Sequence, residues 1–209
     1  MFEFENELKK EGFNFIAGMD EAGRGPLAGA VYTAMCIMPL SYDKIIDGVN
    51  DSKQLSAKKR LELFDKIKET ALAYAIVAVD EKEIDAVNIL QATRLGMQRC
   101  LQQISIKPDY CLVDYVAGLN LNVPFKTIVK GDAKSYSIAC ASILAKVARD
   151  LYMEDLAQKY PQYAFEKHKG YATKLHYEMI EKFGICKAHR MSFLKNLDEH
   201  INASHFNDE

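Results

Sequence analysis

The sequence has no tryptophan, only five prolines and only five cysteines in 209 residues. The cysteine number is odd and no Cys-x-x-Cys pair occurs, so neither a disulfide framework nor a zinc knuckle is indicated. No apolar run approaches the ~18 residues of a membrane span, and the acidic N-terminal segment does not resemble a signal peptide. We therefore predict a cytoplasmic protein without membrane contact, whose thiols are reduced and mostly buried.

An excess of charge of one sign is also missing. The chain has 27 Lys and Arg residues against 29 Asp and Glu residues, a net charge of −2. No overall positive field therefore indicates a polyanionic partner, and any nucleic-acid site has to be local. Residues 126–149 carry five basic residues and one acid, which predicts a basic face, although solvated surface lysines are the alternative. The basic residues are Lys126, Lys130, Lys134, Lys146 and Arg149.

The composition is that of a globular chain, with 49% hydrophobic and 27% charged residues. Such a chain buries one ordinary core, and neither repeats nor low-complexity linkers interrupt it. We predict that residues 1–209 form a single catalytic domain and act as a monomer. Five segments have strand patterns, the first two joined as a hairpin and the third well buried. The predicted strands are residues 15–20, 28–38, 72–79, 110–114 and 125–129.

Helical patterns separate most of these strands. Ser56 is a candidate N-cap for a helix whose inner stripe is predicted to be Leu61, Phe64, Ile67 and Ala71. The whole pattern predicts an α/β fold with a mixed sheet, antiparallel at first and parallel where helices intervene. Further helices are predicted at residues 88–104, with Asn88 as cap, at residues 135–159, and at residues 173–183, ended by Gly184.

Four acidic residues follow predicted strands. Asp20 and Glu21 reach one ion only if the chain bends directly after them, which the following glycines and proline permit. Asp114 ends an apolar strand, where a lone carboxylate is costly to bury unless it is paired or metal-bound. Asp132 follows another strand and precedes a long helix, so all four acids could meet at one edge of the sheet. For Asp114 or Asp132 taken alone, capping of the next segment is the alternative.

A cluster of oxygen ligands without cysteine suits Mg²⁺ or Mn²⁺. Facing a phosphodiester, such a cluster is the usual setting for two ions about 3.5 to 4 Å apart, one activating water and one stabilising the leaving oxygen. The joint occurrence of Asp20, Glu21, Asp114 and Asp132 favours this hypothesis over separate caps.

The stretch GMDEAGRGPLAG at residues 18–29 closely resembles the opening signature of ribonuclease HII, the type 2 ribonuclease H family. Further matches follow in the order of the family and extend to residue 193. They are DSKQLS at 51–56, VD at 113–114, KGD at 130–132, ASILAKV at 141–147, GYAT at 170–173 and HRMSF at 189–193.

The resemblance implies an RNase H-like fold, a five-stranded mixed sheet flanked by helices, with a C-terminal helical segment. It also implies an endoribonuclease that cuts the RNA strand of RNA/DNA hybrids and cuts 5′ of single ribonucleotides in duplex DNA. The products would be a 3′-hydroxyl and a 5′-phosphate, formed with two Mn²⁺ or Mg²⁺ ions. Ribonucleotide removal from DNA and RNA primer processing are the implied roles.

By the same resemblance, the four acids are the catalytic metal ligands, and Asp20 is shared by both ions. Gly23, Arg24 and Gly25 match the element whose backbone lies against the sugar-phosphate at the RNA-to-DNA junction, where a side chain would block the approach. An ordinary hairpin turn explains the glycines but not the arginine between them.

Tyr171 matches the tyrosine that packs on a sugar and senses the 2′-hydroxyl. A structural tyrosine is the alternative. Ser52 and Lys53 match positions near DNA phosphates, and Lys146 either contacts nucleic acid or decorates its helix. The chain departs from the family at Tyr115, where a glycine is frequent, and at Gln54, where a lysine is frequent.

Two other function classes are weighed against this one. A nucleic-acid-binding module that had lost catalysis would lack at least one of the four acids, and none is replaced. A phosphate-handling α/β protein would carry a Gly-x-x-x-x-Gly-Lys-Ser/Thr loop, which does not occur. Zinc peptidase chemistry is not supported either, because the five histidines show no His-Glu-x-x-His spacing.

Overall fold

The computed structural model describes residues 1–195 and residue 197. At its centre is one five-stranded mixed sheet, which confirms the predicted fold class. The strands are β1 (Ile16–Ala22), β2 (Val31–Ile37), β3 (Ala73–Val79), β4 (Tyr110–Asp114) and β5 (Phe125–Ile128). Their order across the sheet is β3-β2-β1-β4-β5, so β1 and β4 lie inside the sheet while β3 and β5 are its edges.

The sheet is antiparallel on one side and parallel on the other. β2 pairs antiparallel with both β1 and β3, whereas β4 pairs parallel with both β1 and β5. The predicted antiparallel start is confirmed for the first three strands, although a helix separates β2 from β3. The later strands pair parallel, and β4 and β5 do so although residues 115–124 between them contain no helix. An extended segment of that length reaches about 33 Å, which is enough to return the chain to the starting edge of the sheet.

Helices cover both faces of the sheet in the described part of the chain. The predicted caps are confirmed: the Ser56 side chain accepts a hydrogen bond from the Lys59 amide, and the Asn88 side chain accepts from two amides of the next turn. Three helices are missing from the predictions, namely the first, third and sixth. The helices are α1 (Glu3–Lys10), α2 (Ala57–Thr70), α3 (Glu81–Val87), α4 (Ile89–Gln103), α5 (Tyr136–Lys159), α6 (Phe165–His168) and α7 (Lys174–Phe183).

The core has one layer on each side of the sheet. On one face, Met97 and Cys100 of α4 pack on β1 to β4, and on the other face α2 and α5 pack on β2. Leu61, predicted to face the core, is 47% exposed, and Leu63 is buried in its place. The third strand is not well buried either, because as an edge strand it alternates buried and exposed residues. No helix among the described residues has the length and apolarity to cross a membrane.

Close contact between α5 and β1 depends on Gly18. A Cβ atom built on Gly18 would lie 2.0 Å from the carbonyl carbon of Ser137 and 2.4 Å from the amide nitrogen of Ile138. Both atoms belong to the backbone at the start of α5, so they cannot rotate away. The absent side chain therefore brings the first turn of α5 against the strand that ends in the acids.

The helix α1 fixes the same end of α5. Glu5 is fully buried, and its Oε1 atom accepts hydrogen bonds from the Ser135 hydroxyl at 2.6 Å and the Ser137 amide at 2.9 Å. A carboxylate there satisfies a free amide of the first turn and interacts favourably with the helix dipole. Because α5 begins directly after the turn Gly131–Ala133, α1 also fixes the position of Asp132.

Replacing Glu5 by alanine is expected to lower the free energy of unfolding by about 1–3 kcal/mol, because two buried donors lose their acceptor. Urea denaturation followed by circular dichroism measures this loss. Glu7→Ala is the matched control, since Glu7 lies on the same helix and is exposed. Equal stability of the two variants would mean that Glu5 does not anchor α5.

Candidate active site

The first acidic pair lies at the end of β1. Asp20 is only 4% exposed, and its Oδ1 atom accepts a hydrogen bond from the Glu21 amide at 2.7 Å. Burial raises the pKa of Asp20 well above its ordinary value, and the charges of Glu21 and Asp114 raise it further, while the nearby Ser142 hydroxyl lowers it in part. A cation bound beside this carboxyl would favour its ionised form and lower its pKa again.

Glu21 has one oxygen with a partner and one without. Its Oε1 atom accepts from the Arg24 guanidinium at 3.3 Å, whereas Oε2 is buried and has no hydrogen-bond partner in residues 1–195 and 197. Burial raises the pKa of Glu21 to about 7, Arg24 opposes this rise, and the charge of Asp114 adds to it. An unpartnered buried carboxylate oxygen is costly and invites a cationic ligand.

The second acidic pair comes from β4 and from the turn after β5. Met19 pairs with Val113 in the parallel register, so Asp20 and Asp114 take the next positions on neighbouring strands. The Oδ1 atom of Asp114 accepts from the Gly131 amide at 2.7 Å, which ties the end of β4 to the residue before Asp132.

Asp132 is 4% exposed, and its Oδ2 atom lies 3.4 Å from the Lys53 ammonium. Burial raises the pKa of Asp132, while Lys53 opposes the rise. Partial burial lowers the pKa of Lys53, but the carboxylates of Asp132 and Asp20 raise it above its ordinary value. Lys53 thus offsets the charge of three of the four acids, since it also lowers the pKa of Glu21.

Asp114 lies within electrostatic reach of the other three acids. Besides burial, the charge of Asp114 raises the pKa of Asp20, Glu21 and Asp132. As placed, the histidine, cysteine, aspartate and glutamate side chains of the described residues include no group of three or more that could hold a metal ion. The acids are therefore close enough to repel each other but stand farther apart than ligands of one ion.

The raised pKa of Glu21 makes the stability of the metal-free protein depend on pH. A folded pKa of about 7 against an ordinary 4.5 means that the folded state binds the proton more tightly. The stabilisation is fully present below the unfolded value and is lost as the pH rises through the folded value. As the pH rises from about 4.5 to about 8, we expect the free energy of unfolding of Glu21→Gln to increase by roughly 3 kcal/mol relative to that of the wild type.

Chemical denaturation of both proteins in a chelator, at a series of pH values, measures this difference. Glu178→Gln is the control, because Glu178 lies on α7, away from the acids. A Glu21→Gln difference that is flat with pH would show that Glu21 titrates normally in the folded protein.

A cleft of about 250 Å³ opens beside the first acidic pair. All seven residues predicted to contact substrate line it, together with Asp20 and Glu21, whereas Asp114 and Asp132 are not among its lining residues. Ala22 and Ser142 complete the lining and were not predicted as site residues. The seven are Gly23, Arg24, Gly25, Ser52, Lys53, Lys146 and Tyr171.

The polar residues of the cleft differ in how freely they meet a ligand. Ser52 is buried and shares a hydrogen bond of 2.7 Å with the Ser142 hydroxyl, so it supports the wall of the cleft. Lys146 forms an ion pair with Asp150, and burial lowers its pKa. The Lys53 side chain, by contrast, is 78% exposed and free to turn toward a phosphate.

Tyr171 lines the cleft and is 44% exposed. Its backbone is fixed from both sides: its amide donates to the His168 carbonyl at 2.9 Å, and its carbonyl lies 2.9 Å from Nδ1 of the buried His176. Its ring approaches Gly25, where an added Cβ would lie 3.8 Å from Cε1. A ring with a fixed backbone and a free face suits contact with a sugar.

The predicted basic face needs one correction, because Arg149 is 1% exposed. Its guanidinium donates to the carbonyls of Ala28 and Ala30 in the glycine-rich loop, residues 23–30, which joins β1 to β2. Arg190 is fully buried and donates to the same loop, although no role in the site was predicted for it. Its place in the HRMSF match was the only signal that could have drawn attention to it.

Comparison with known proteins gives consistent results. A family model described as Ribonuclease HII matches residues 17–196. The ribonuclease HII of Caldicellulosiruptor bescii is 53% identical over 196 residues, covering 94% of this chain and 94% of that protein.

Solved structures with the same fold include the ribonuclease H2 of Pyrococcus horikoshii, with a TM-score of 0.74 and 26% identity over 92% of this chain and 99% of that one. A structure of Bst-RNase HIII in complex with Mn²⁺ has a TM-score of 0.70 and 18% identity, covering 91% of this chain and 70% of that one. At that identity the second likeness concerns the fold alone.

Proposed function

This chain belongs to the ribonuclease HII family and is an endoribonuclease of the ribonuclease H type, and we propose on that premise how it cuts. It hydrolyses the RNA strand of RNA/DNA hybrids and cuts 5′ of single ribonucleotides in duplex DNA, leaving a 3′-hydroxyl and a 5′-phosphate. Two Mn²⁺ or Mg²⁺ ions take part. A monomeric state and a cytoplasmic location stay predictions.

The observation that carries the proposal is the set of four acids at one sheet edge, where the charge of Asp114 raises the pKa of the other three. Asp20 is buried and the Glu21 side chain is 10% exposed, with one Glu21 oxygen that is buried and has no hydrogen-bond partner among the described residues. Buried carboxylates with raised pKa values are destabilising without a cation, so the donor set fits a hard divalent ion. Side-chain rotation would be needed to gather the ligands, since no three of the described acids are placed to hold an ion.

Bound ions of this kind supply an activated water and stabilise the leaving oxygen of a phosphodiester. The chain itself contributes the ligands Asp20, Glu21, Asp114 and Asp132. The Lys53 ammonium, which offsets the charge of Asp132, is exposed enough to turn to a phosphate when cations replace it.

The cleft would position the duplex beside these acids. Gly25 leaves room for a sugar-phosphate backbone to approach, whereas the space beside Gly23 is taken by the Arg149 side chain. Arg24, which is 40% exposed, places a guanidinium at the rim. Tyr171 offers its ring to the sugar on the 3′ side of the cut, which is the ribose, and senses its 2′-hydroxyl. Contacts of this kind recognise backbone and sugar without reading base sequence.

The test is direct. Purified protein is incubated with a DNA duplex that carries one ribonucleotide, with Mg²⁺, with Mn²⁺ or with chelator, and the cut is mapped on a sequencing gel. A single metal-dependent cut on the 5′ side of the ribonucleotide is expected. A cut elsewhere, or cutting that persists in chelator, would contradict the proposal.

Tyr171→Ala is expected to lower kcat/KM about tenfold for a single embedded ribonucleotide and at most about threefold for a long hybrid. In a long hybrid many adjacent sites and backbone contacts compensate for one lost ring, whereas a single ribonucleotide offers one site. Tyr74→Ala is the control, because Tyr74 is also exposed but lies on the edge strand β3. Equal losses on both substrates would make Tyr171 structural.

A further inference from the structure

Two buried arginines converge on the backbone of the glycine-rich loop. Arg190 donates from Nη2 to the Gly23 carbonyl at 2.7 Å, from Nη1 to the Arg24 carbonyl at 3.0 Å and from Nε to the Gly29 carbonyl at 2.8 Å. One guanidinium therefore joins both ends of the loop that follows β1. Its own chain is held in turn, since the Arg190 amide donates to the Leu27 carbonyl at 2.8 Å.

Arg149 reaches the same loop from α5. Its Nε donates to the Ala30 carbonyl at 3.1 Å and its Nη2 to the Ala28 carbonyl at 3.2 Å. Its side chain passes directly beneath Gly23, where an added Cβ would lie 2.0 Å from Nε. Its guanidinium carbon is 5.8 Å from the centre of the Tyr171 ring, so it contacts both walls of the cleft.

Burial of two like charges side by side is costly. Burial lowers the pKa of Arg190 to about 9, and the charge of Arg149 lowers it further, while more distant acids oppose this. Neither arginine forms an ion pair with a carboxylate of residues 1–195 or 197. The carbonyl oxygens of the loop are thus their main partners, and a core of apolar residues would stabilise the fold at lower cost.

The direction of the peptide groups shows which side of the loop carries its amide donors. In a trans peptide the carbonyl oxygen and the following amide hydrogen point to opposite sides. Because the carbonyls of Gly23 and Arg24 point at Arg190, the amides of Arg24 and Gly25 point away from it. Both residues line the cleft, so the loop turns its acceptors inward and leaves these two donors on the other side.

We infer that Arg149 and Arg190 are positioning residues for substrate: they fix the glycine-rich loop so that a phosphate in the cleft meets amide donors and not carbonyl oxygens. They also place a fixed positive field behind those donors. This inference rests on the proposed function, because the phosphate concerned is that of the bound duplex.

The first experiment uses Arg190→Lys, which keeps the charge but cannot span three carbonyls. With the duplex that carries one ribonucleotide, KM is expected to rise about tenfold while kcat stays within about threefold, since the acids lie outside the loop. Arg149→Lys is the second variant and should move KM in the same direction. Ile104→Ala, in the core on the other face of the sheet, is the control for lost thermal stability.

A structural role alone would lower Tm in all three variants and leave KM unchanged, which would overturn the inference. An uncut duplex with the wild-type enzyme would instead overturn the proposed function. A measurement on the wild type decides the matter even where a variant fails to fold. In ¹⁵N-labelled protein with the same duplex in chelator, the Arg24 and Gly25 amide signals should shift more than those of α4. Absence of that shift would also overturn the inference.

Discussion

Asp20→Asn is expected to reduce metal-dependent cleavage by at least about 10³-fold while the protein stays folded. Asparagine keeps the shape of the side chain and an oxygen that accepts from the Glu21 amide, but it removes the negative charge that a cation requires. Burial and the charges of Glu21 and Asp114 already disfavour the ionised form of Asp20. The metal-free variant should therefore be at least as stable as the wild type.

Single-turnover cleavage of the ribonucleotide-containing duplex measures the first effect, and a thermal melt in chelator measures the second. Asp155→Asn provides the matched control, because Asp155 is an exposed aspartate on α5. Normal turnover by Asp20→Asn would remove this residue from the mechanism. A large loss of Tm would instead mean that Asp20 is needed for folding.

The second large effect concerns stability. Gly18→Ala should lower the free energy of unfolding by about 3 kcal/mol, because its Cβ would meet the backbone of Ser137 at 2.0 Å. For a chain of this size the corresponding fall in Tm is about 6–12 °C. Gly18 and Asp20 face the same side of β1 since strand side chains alternate, so displacement of α5 should also reduce cleavage.

Differential scanning calorimetry of Gly18→Ala and Gly12→Ala separates steric overlap from other effects of the methyl group. A Cβ on Gly12 meets nothing within 4 Å, and only its positive φ of 97° disfavours alanine, at about 1–2 kcal/mol. If both variants lost the same stability, the close contact between α5 and β1 would not be the cause.

Much of the fold follows from short-range patterns in the sequence. The caps at Ser56 and Asn88 were predicted because a side chain and the next turn of backbone decide them. The choice between Leu61 and Leu63 was not, since both fit a helical stripe within one turn and only packing on α5 decides which is buried. The parallel pairing of β4 and β5 without a helix between them was also not predicted, because strand direction depends on where each connection returns and not on its composition.

The same division holds for the candidate site. The resemblance and the strand ends indicated the acids and the cleft residues, which the structure places at one sheet edge and around one cleft. Arg190 escaped notice because its partner Gly23 is 167 residues away in the sequence. Glu5 and Ser137 are separated by 132 residues, so an acidic N-terminal segment gave no sign of an anchored helix.

The helix α5 has a wider consequence, because this single helix supports several parts of the site. Along it, Ser142 influences the pKa of Asp20, Lys146 lines the cleft and Arg149 carries the loop. These three residues cannot change position one at a time, because any tilt or shift of α5 moves all of them together. Substitutions along its inner side should therefore show strong epistasis, and evolution of new substrate preference should proceed through the surrounding loops instead.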